Sequence, residues 1–166
     1  ARHVAEHFGA IRLRSDVERK RLFGLLPDDS SDTIQNDIYT TQATAQTFEH
    51  LRALGRDIVH AGLPCIIDAT FLKRATRRIF VELAQELDIP LLILECIAPA
   101  DIMAQRVSAR TEAGRDASEA GIEIMQQQLR DLEPFVAAER EFVLTIDTQK
   151  PFEGSLVDQF ILQRAH

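Results

Sequence analysis

Short apolar segments alternate with longer segments of helical period along this chain of 166 residues. The short segments are the length of strands and are apolar on both faces, as buried strands of a parallel sheet usually are. In the longer segments apolar residues recur at every third or fourth position, as they do at Phe48, Leu51 and Leu54, which predicts helices with one apolar face. The predicted strands cover residues 10–14, 65–68, 91–97 and 142–147, and the main predicted helices cover residues 1–8, 15–23, 38–61, 73–87 and 119–132.

The alternation of strands and helices predicts one α/β domain over residues 1–166. Right-handed crossovers through helices of this length give a three-layer fold, in which a parallel sheet carries helices on both faces. Ligands of such sheets bind at the carboxyl ends of the strands, so the residues that follow each strand are the candidates for function. Residues 111–118, which are polar and contain a glycine, are predicted to be a loop.

The start of the second predicted helix has a capping signature. Ser15 and Glu18 stand three residues apart, which is the spacing of a capping box. We therefore expect the hydroxyl and the carboxylate to satisfy free amides at the start of this helix.

The composition, with 45% apolar and 27% charged residues, is that of a folded domain. The longest apolar stretches fall short of a membrane span, and no signal peptide is visible at the start. Cys65 and Cys96 both lie in apolar runs, so we expect reduced thiols in the core and a cytoplasmic protein.

The net charge of −7 argues against tight, sequence-independent binding of nucleic acid. The charge is uneven, because residues 1–83 carry a net charge of +1 and residues 84–166 one of −8. Local binding of an anion is therefore compatible with the overall charge.

Two acidic residues follow predicted strands. Asp68 ends the run 65–68, where phosphate-transferring enzymes of this class place an acid that holds magnesium, although strand ends are often polar for no functional reason. Asp16 lies in the first turn of a helix, with Arg19 three residues on. A carboxylate at that place can orient a substrate hydroxyl, and the alternative is that it merely favours the helix start.

Three basic or metal-ligating patterns have two interpretations each. Arg106 and Arg110 share a helix face before the polar loop, so they either clamp phosphates or form a solvated face. The basic cluster at residues 73–78 has the same two alternatives, of which the exposed face is the commoner. Residues 3–7 match the H-x-x-E-H pattern of a zinc-peptidase group, a pattern that short sequences often match by chance.

Four segments together resemble a known family. They are residues 12–24 (RLRSDVERKRLFG), 38–44 (IYTTQAT), 66–71 (IIDATF) and the pair Arg106-x-x-x-Arg110. The chain resembles the polynucleotide-kinase-like P-loop kinases, specifically the ATP-binding domain found in bacterial proteins beside an aminoglycoside-phosphotransferase-like domain. The resemblance implies a P-loop NTPase-type fold with a small lid at residues 111–118, ATP and Mg²⁺ as cofactors, and a fused or neighbouring phosphotransferase-like domain as a partner.

The resemblance also implies roles for individual residues. Asp16 would face the acceptor hydroxyl, with Arg19 as a phosphate or substrate partner and Tyr39 as a substrate contact. Asp68 would be the acid on the magnesium side. On the nucleotide side, Arg106 would lie near the adenine, Arg110 near the transferred phosphate, and Gln149 and Lys150 in the adenine-contacting loop.

One part of the family pattern is absent from these residues. The first strand and its G-x-x-x-x-G-K-[ST] loop do not occur, and residues 1–9 read like the end of the helix that follows that loop. We therefore expect the chain as written to lack the front end of the domain and to be a poor catalyst.

The favoured hypothesis is an ATP-dependent kinase that phosphorylates a hydroxyl of a small molecule. The alternatives are a nucleotide-binding or regulatory module without turnover and a 5′-hydroxyl polynucleotide kinase, which the acidic charge disfavours.

Overall fold

A computed structural model describes residues 1–27, 29, 38–113 and 121–163, with residues 111–113 described for their backbone only. Eight helices and four strands lie within these residues. The helices are α1 (Arg2–Phe8), α2 (Ser15–Leu22), α3 (Thr41–His60), α4 (Arg74–Glu86), α5 (Ala100–Ala113), α6 (Ile122–Asp131), α7 (Ala137–Arg140) and α8 (Gly154–Leu162). The strands are β1 (Ile11–Arg14), β2 (Cys65–Asp68), β3 (Ile93–Ile97) and β4 (Val143–Asp147). No helix of the described part of the chain is long and apolar enough to cross a membrane.

Local signals fix several helix ends. Helix α1 stops at Gly9, which has a φ of 60° in the left-handed region that glycine adopts without steric cost. Helix α3 begins after Thr40, whose hydroxyl accepts a hydrogen bond from the amide of Ala43. The helix starts three residues later than predicted, so Tyr39 precedes it.

The predicted capping box at the start of α2 is wrong. Strand β1 runs directly into the helix, which makes Arg14 the N-cap and Ser15 the first helical residue, and no side chain caps this end. The carboxylate of Glu18 instead accepts a hydrogen bond from Arg21 at 2.6 Å and lies 3.5 Å from the Nε2 atom of His50 on α3. Glu18 thus ties α2 to α3.

The strands form two parallel pairs. Ile11 to Arg14 of β1 lie opposite Cys65 to Asp68 of β2, and Ile93 to Ile97 of β3 lie opposite Val143 to Asp147 of β4. The predicted α/β class with parallel strands is confirmed. Among the described residues, however, the pairs remain two separate sheets, because β2 and β3 are not hydrogen-bonded to each other.

The apolar core lies between the β1–β2 pair and helices α3 and α4. It consists of Leu13, Phe48, Leu51, Phe80 and Leu83, against which Cys65 and Ile67 of β2 pack. Gly55 of α3 faces this core, where a Cβ atom would make an ordinary van der Waals contact of 3.5 Å with the side chain of Ile67.

The second strand pair is much less covered. Cys96 and Ile97 at the end of β3 are exposed, and α6 contains no buried residue. The expectation that Cys96 is a core residue is therefore wrong, whereas Cys65 packs against the core as expected and burial raises the pKa of its thiol to about 11.

The basic cluster on α4 divides into exposed and buried members. Lys73 and Arg78 are exposed, but the side chain of Arg77 is only 1% exposed, which contradicts the expectation of a fully solvated face. The guanidinium of Arg77 donates two hydrogen bonds to Glu139 of α7, at 2.7 and 3.1 Å. It also donates to the carbonyls of Phe71 and Glu133, both at 3.1 Å, so it joins the loop after β2 to the segment before α7.

Candidate functional site

Two carboxylates and two arginines meet at the carboxyl ends of β1 and β2. Residues 12 and 14 point to the same face of β1 because side chains alternate along a strand. Arg12 donates from Nε to Oδ2 of Asp68 at 2.8 Å, and its Nη2 atom contacts the same oxygen. Arg14 lies with its Nη2 atom 4.0 Å from Oδ2 of Asp16. Strand β1 thus supplies an arginine to each of the two predicted acids.

The position of Asp16 agrees with the sequence argument. It lies in the first turn of α2, where the free amides and the helix dipole favour a negative charge. About a third of its side chain is exposed, at 35%. An accessible, charged carboxylate at this place can accept a hydrogen bond from a hydroxyl group.

Asp68 retains one oxygen for a ligand. Both donors of Arg12 go to Oδ2, and Oδ1 has no hydrogen bond within the described residues. Protein-bound Mg²⁺ in nucleotide sites usually takes one or two carboxylates and completes its shell with phosphates and water. No group of three or more His, Cys, Asp or Glu side chains that could hold a metal occurs in the described part of the chain. A single contact from Asp68 to a metal carried by a nucleotide fits these donors.

The structure brings Arg19 and Tyr39 together between α2 and α3. Arg19 is buried and donates to the carbonyl of Ile38 at 2.9 Å and to the hydroxyl of Thr44 at 3.2 Å. Its guanidinium carbon lies 5.4 Å from the ring centroid of Tyr39, which is exposed. Arg19 therefore anchors the start of α3, and the roles of both residues toward a substrate stay predictions.

Arg106 of α5 is joined to the turn after β4, and the family resemblance implies that both lie on the nucleotide side. Its Nη1 atom donates to the hydroxyl of Thr148 at 2.7 Å and its Nη2 atom to the carbonyl of Thr148 at 2.8 Å. Gln149 and Lys150 follow directly and are exposed. The amide of Gln149 donates to Oδ1 of Asp147 at 3.0 Å, which gives the turn its shape.

Arg110 lies one helical turn beyond Arg106 and is half-buried. Only the first three residues of the lid predicted at residues 111–118 belong to the described part of the chain. Residues 111–113 continue α5, contrary to the predicted loop, and residues 114–118 lie outside the described residues.

The H-x-x-E-H pattern forms no metal site in the structure. Glu6 accepts a hydrogen bond from Arg2 at 2.8 Å, and this bond lowers the pKa of the Glu6 carboxyl. His7 lies with Nε2 3.1 Å from both carboxylate oxygens of Asp158, so it joins α1 to α8. These partners explain the residues without a metal.

The ends of β2 and β3 influence each other electrostatically. Partial burial raises the pKa of the Cys96 thiol, and the carboxylate of Asp68 raises it further. Because such an effect weakens with distance, it indicates that Cys96 at the end of β3 lies in the neighbourhood of Asp68 at the end of β2.

Sequence reasoning missed Arg12 and Thr148. Arg12 could have been found from strand alternation, since it shares a face with Arg14 and stands diagonal to Asp68 across the pair. Thr148 belongs to no sequence motif. Its position directly after a predicted strand was the one feature of the sequence that pointed to a role.

Residues 1–135 match a protein family described as an AAA domain. No curated protein matches the sequence significantly. Three solved structures are similar over nearly the whole chain.

A gluconokinase from Sinorhizobium meliloti 1021 has a TM-score of 0.57 and 17% identity, over 97% of this chain and 80% of its own. An unliganded sugar kinase from Janibacter sp. HTCC2649 has a TM-score of 0.59 and 19% identity, over 99% and 82%. A protein described as a kinase, from Chloroflexus aurantiacus J-10-fl, has a TM-score of 0.67 and 18% identity, over 99% and 86%. At such identities the likeness shows a shared fold.

Proposed function

Since this chain belongs to the AAA domain family, we propose that it is the nucleotide-binding domain of an ATP-dependent kinase that phosphorylates a hydroxyl of a small molecule. The observation that carries the proposal is the pair of carboxylates, Asp16 and Asp68, at adjacent strand ends, each beside an arginine of β1. Two of the similar structures are a gluconokinase and a sugar kinase, which supports a polyhydroxylated acceptor.

In the proposed reaction the acceptor oxygen attacks the γ-phosphorus of ATP. A new P–O bond forms, the bond to the β,γ-bridging oxygen breaks, and ADP leaves with the electron pair of that bond. Asp16 accepts the hydrogen bond of the acceptor hydroxyl and orients it, takes up the proton as the new bond forms, and then releases the proton to solvent. The low basicity expected at a helix start suits orientation better than strong proton abstraction.

The remaining residues bind and position the nucleotide. Asp68 would contact the Mg²⁺ ion, and the bound ion would neutralise developing charge on the phosphates. Arg110 stabilises the transferred phosphoryl group, and Arg106, Gln149 and Lys150 form the side of the site that receives the base. Arg19 and Tyr39 shape the acceptor side from the α2–α3 junction, where Arg19 is held by Ile38 and Thr44.

We also propose that a further parallel strand lies between β2 and β3 and ends in a glycine-rich phosphate loop. Within the described residues, β2 and β3 each have an unpaired edge, and the end of β3 is exposed. Both observations support this proposal, because parallel strands are normally covered on both faces and paired within one sheet. The loop would supply backbone amides and a lysine to the β- and γ-phosphates. We propose that it lies near Asp68 and Cys96, at the ends of β2 and β3.

The test is a phosphorylation assay of the full-length protein with ATP, Mg²⁺ and a panel of sugars, sugar acids and polyols. We expect Asp16→Asn and Arg110→Ala each to lower turnover on the order of 100-fold, as the removal of a single stabilising group does elsewhere. Asp68→Asn should instead raise the Mg²⁺ concentration required for ATP binding.

The matched controls are Asp57→Asn, an exposed carboxylate on α3, and Arg78→Ala, an exposed arginine on α4. Both should keep full activity. Undiminished turnover in Asp16→Asn and Arg110→Ala would overturn the assignment, as would failure of the wild-type protein to bind ATP.

A further inference from the structure

The hydroxyl of Thr148 connects three elements at the end of β4. It donates a hydrogen bond to the carbonyl of Ile97 at 3.0 Å and accepts one from Nη1 of Arg106 at 2.7 Å. The direction of both bonds is fixed, because an arginine has no acceptor and a hydroxyl has only one hydrogen. The end of β3, the end of β4 and helix α5 are thereby joined through one side chain.

This hydroxyl is not needed to hold the two strands together. The backbone amide of Thr148 already donates to the same carbonyl of Ile97 at 2.9 Å and continues the parallel ladder. The side-chain bond therefore adds little to strand pairing. Its distinct effect is to direct a lone pair toward Arg106.

Two hydrogen bonds hold one edge of the Arg106 guanidinium, and the residue is exposed to solvent. The two terminal nitrogens bind the hydroxyl and the carbonyl of the same residue, at 2.7 and 2.8 Å, which sets the plane of the group. Arg106 remains exposed to solvent. A planar, weakly hydrated cation that is held by its edge offers its flat face to an aromatic ring.

We propose that Thr148 is a positioning residue that sets the plane of the Arg106 guanidinium for stacking on the base of a bound nucleotide. The proposal rests on the proposed function, which puts a nucleotide base on this side of the site. It assigns to Thr148 a role in recognising the base, separate from the binding of the phosphates.

The experiment compares two probes, ATP and inorganic tripolyphosphate, by calorimetry of the full-length protein in Mg²⁺. Thr148→Val keeps the shape of the side chain and removes the hydroxyl, and we expect it to weaken ATP binding about fivefold to tenfold, as the loss of a stacked cation does. Binding of tripolyphosphate, which has no base, should be unchanged. Thr148→Ser, which retains the hydroxyl, should bind ATP within about twofold of wild type.

A matched control is Thr145→Val on the same strand, which removes a hydroxyl bonded to Glu95 at 2.7 Å. It should change neither affinity. In an Arg106→Met background, Thr148→Val should have no further effect on ATP binding, because the two residues act as one unit. Thermal denaturation of each variant shows whether the fold is kept.

Unchanged ATP affinity in Thr148→Val would overturn this proposal and leave the kinase proposal standing. An equal loss of ATP and tripolyphosphate binding would also overturn it, since a general disturbance of the site would then explain the effect. Failure of the wild-type protein to bind ATP would contradict both proposals.

Discussion

The two strand pairs differ in how well they are covered. The β1–β2 half, which consists of β1, β2, α2, α3 and α4, contains the apolar core with Leu51 at 0% exposure. In the β3–β4 half, which consists of β3, β4, α5, α6, α7 and α8, Val157 is the buried apolar side chain among the described residues. Among the described residues, therefore, the apolar core belongs to the first half, and the second half buries little apolar surface.

Arg77 is a polar link between the two halves, and its removal should have the largest effect on stability. Arg77→Met leaves the carboxylate of Glu139 buried without its partner, so we expect unfolding to become easier by about 3–5 kcal/mol, measured with urea. The double variant Arg77→Met/Glu139→Met should recover most of that loss, because a well-packed apolar pair can replace a buried ion pair.

Two outcomes would contradict this account of Arg77. One is a single variant that is as stable as the wild-type protein. The other is a double variant that is no more stable than the single one, which would indicate that the bonds to the carbonyls of Phe71 and Glu133 matter more than the ion pair.

A leucine-to-alanine substitution in each half tests directly whether the two halves differ in packing. Leu51→Ala opens a cavity in the core of the β1–β2 half and should cost about 2–5 kcal/mol in the free energy of unfolding. Leu129→Ala on α6, where the side chain is 43% exposed, should change stability by about 0.5 kcal/mol or less. Equal losses in urea unfolding would show that α6 is buried in solution, and the difference between the halves would then not hold.

The smallest expected effect is a dependence of stability on pH. The hydrogen bonds from Arg77 lower the pKa of the Glu139 carboxyl from its ordinary value of 4.5. The folded state therefore binds this proton less readily than the unfolded state, so the stabilisation is present above about pH 4.5 and is lost as the pH falls through the lowered pKa.

We expect the free energy of unfolding of the wild-type protein to fall more steeply below pH 4.5 than that of Arg77→Met/Glu139→Met. Glu82→Gln removes an exposed carboxylate that pairs with Arg78, and it should follow the wild-type curve. Parallel curves for the wild-type protein and the double variant would exclude a contribution from Glu139.

Features of the fold that depend on periodicity or on a few neighbouring residues were predictable from the sequence. The strands and helices followed from apolar spacing, and Gly9 ended α1 because its φ of 60° is cheap for glycine alone. Asp16 and Asp68 were found because strand ends of a parallel sheet meet at one edge. The spacing of Ser15 and Glu18 gave a wrong prediction, because a capping box requires its serine at the non-helical N-cap position. Arg14 occupies that position, and Ser15 is already helical.

The amino-acid sequence by itself determined the class of the fold, the order of its elements and the acids at the strand ends, because periodicity and turn residues act over a few positions. Only the tertiary structure decided that Arg77 is buried while its neighbour Arg78 is exposed, and that Arg106 is held by Thr148, 42 residues away. The physical reason is that a side chain's partners depend on which distant segments pack beside it. The chemistry of an arginine is the same in every position, and its neighbours decide whether it stabilises the fold or remains available to a ligand.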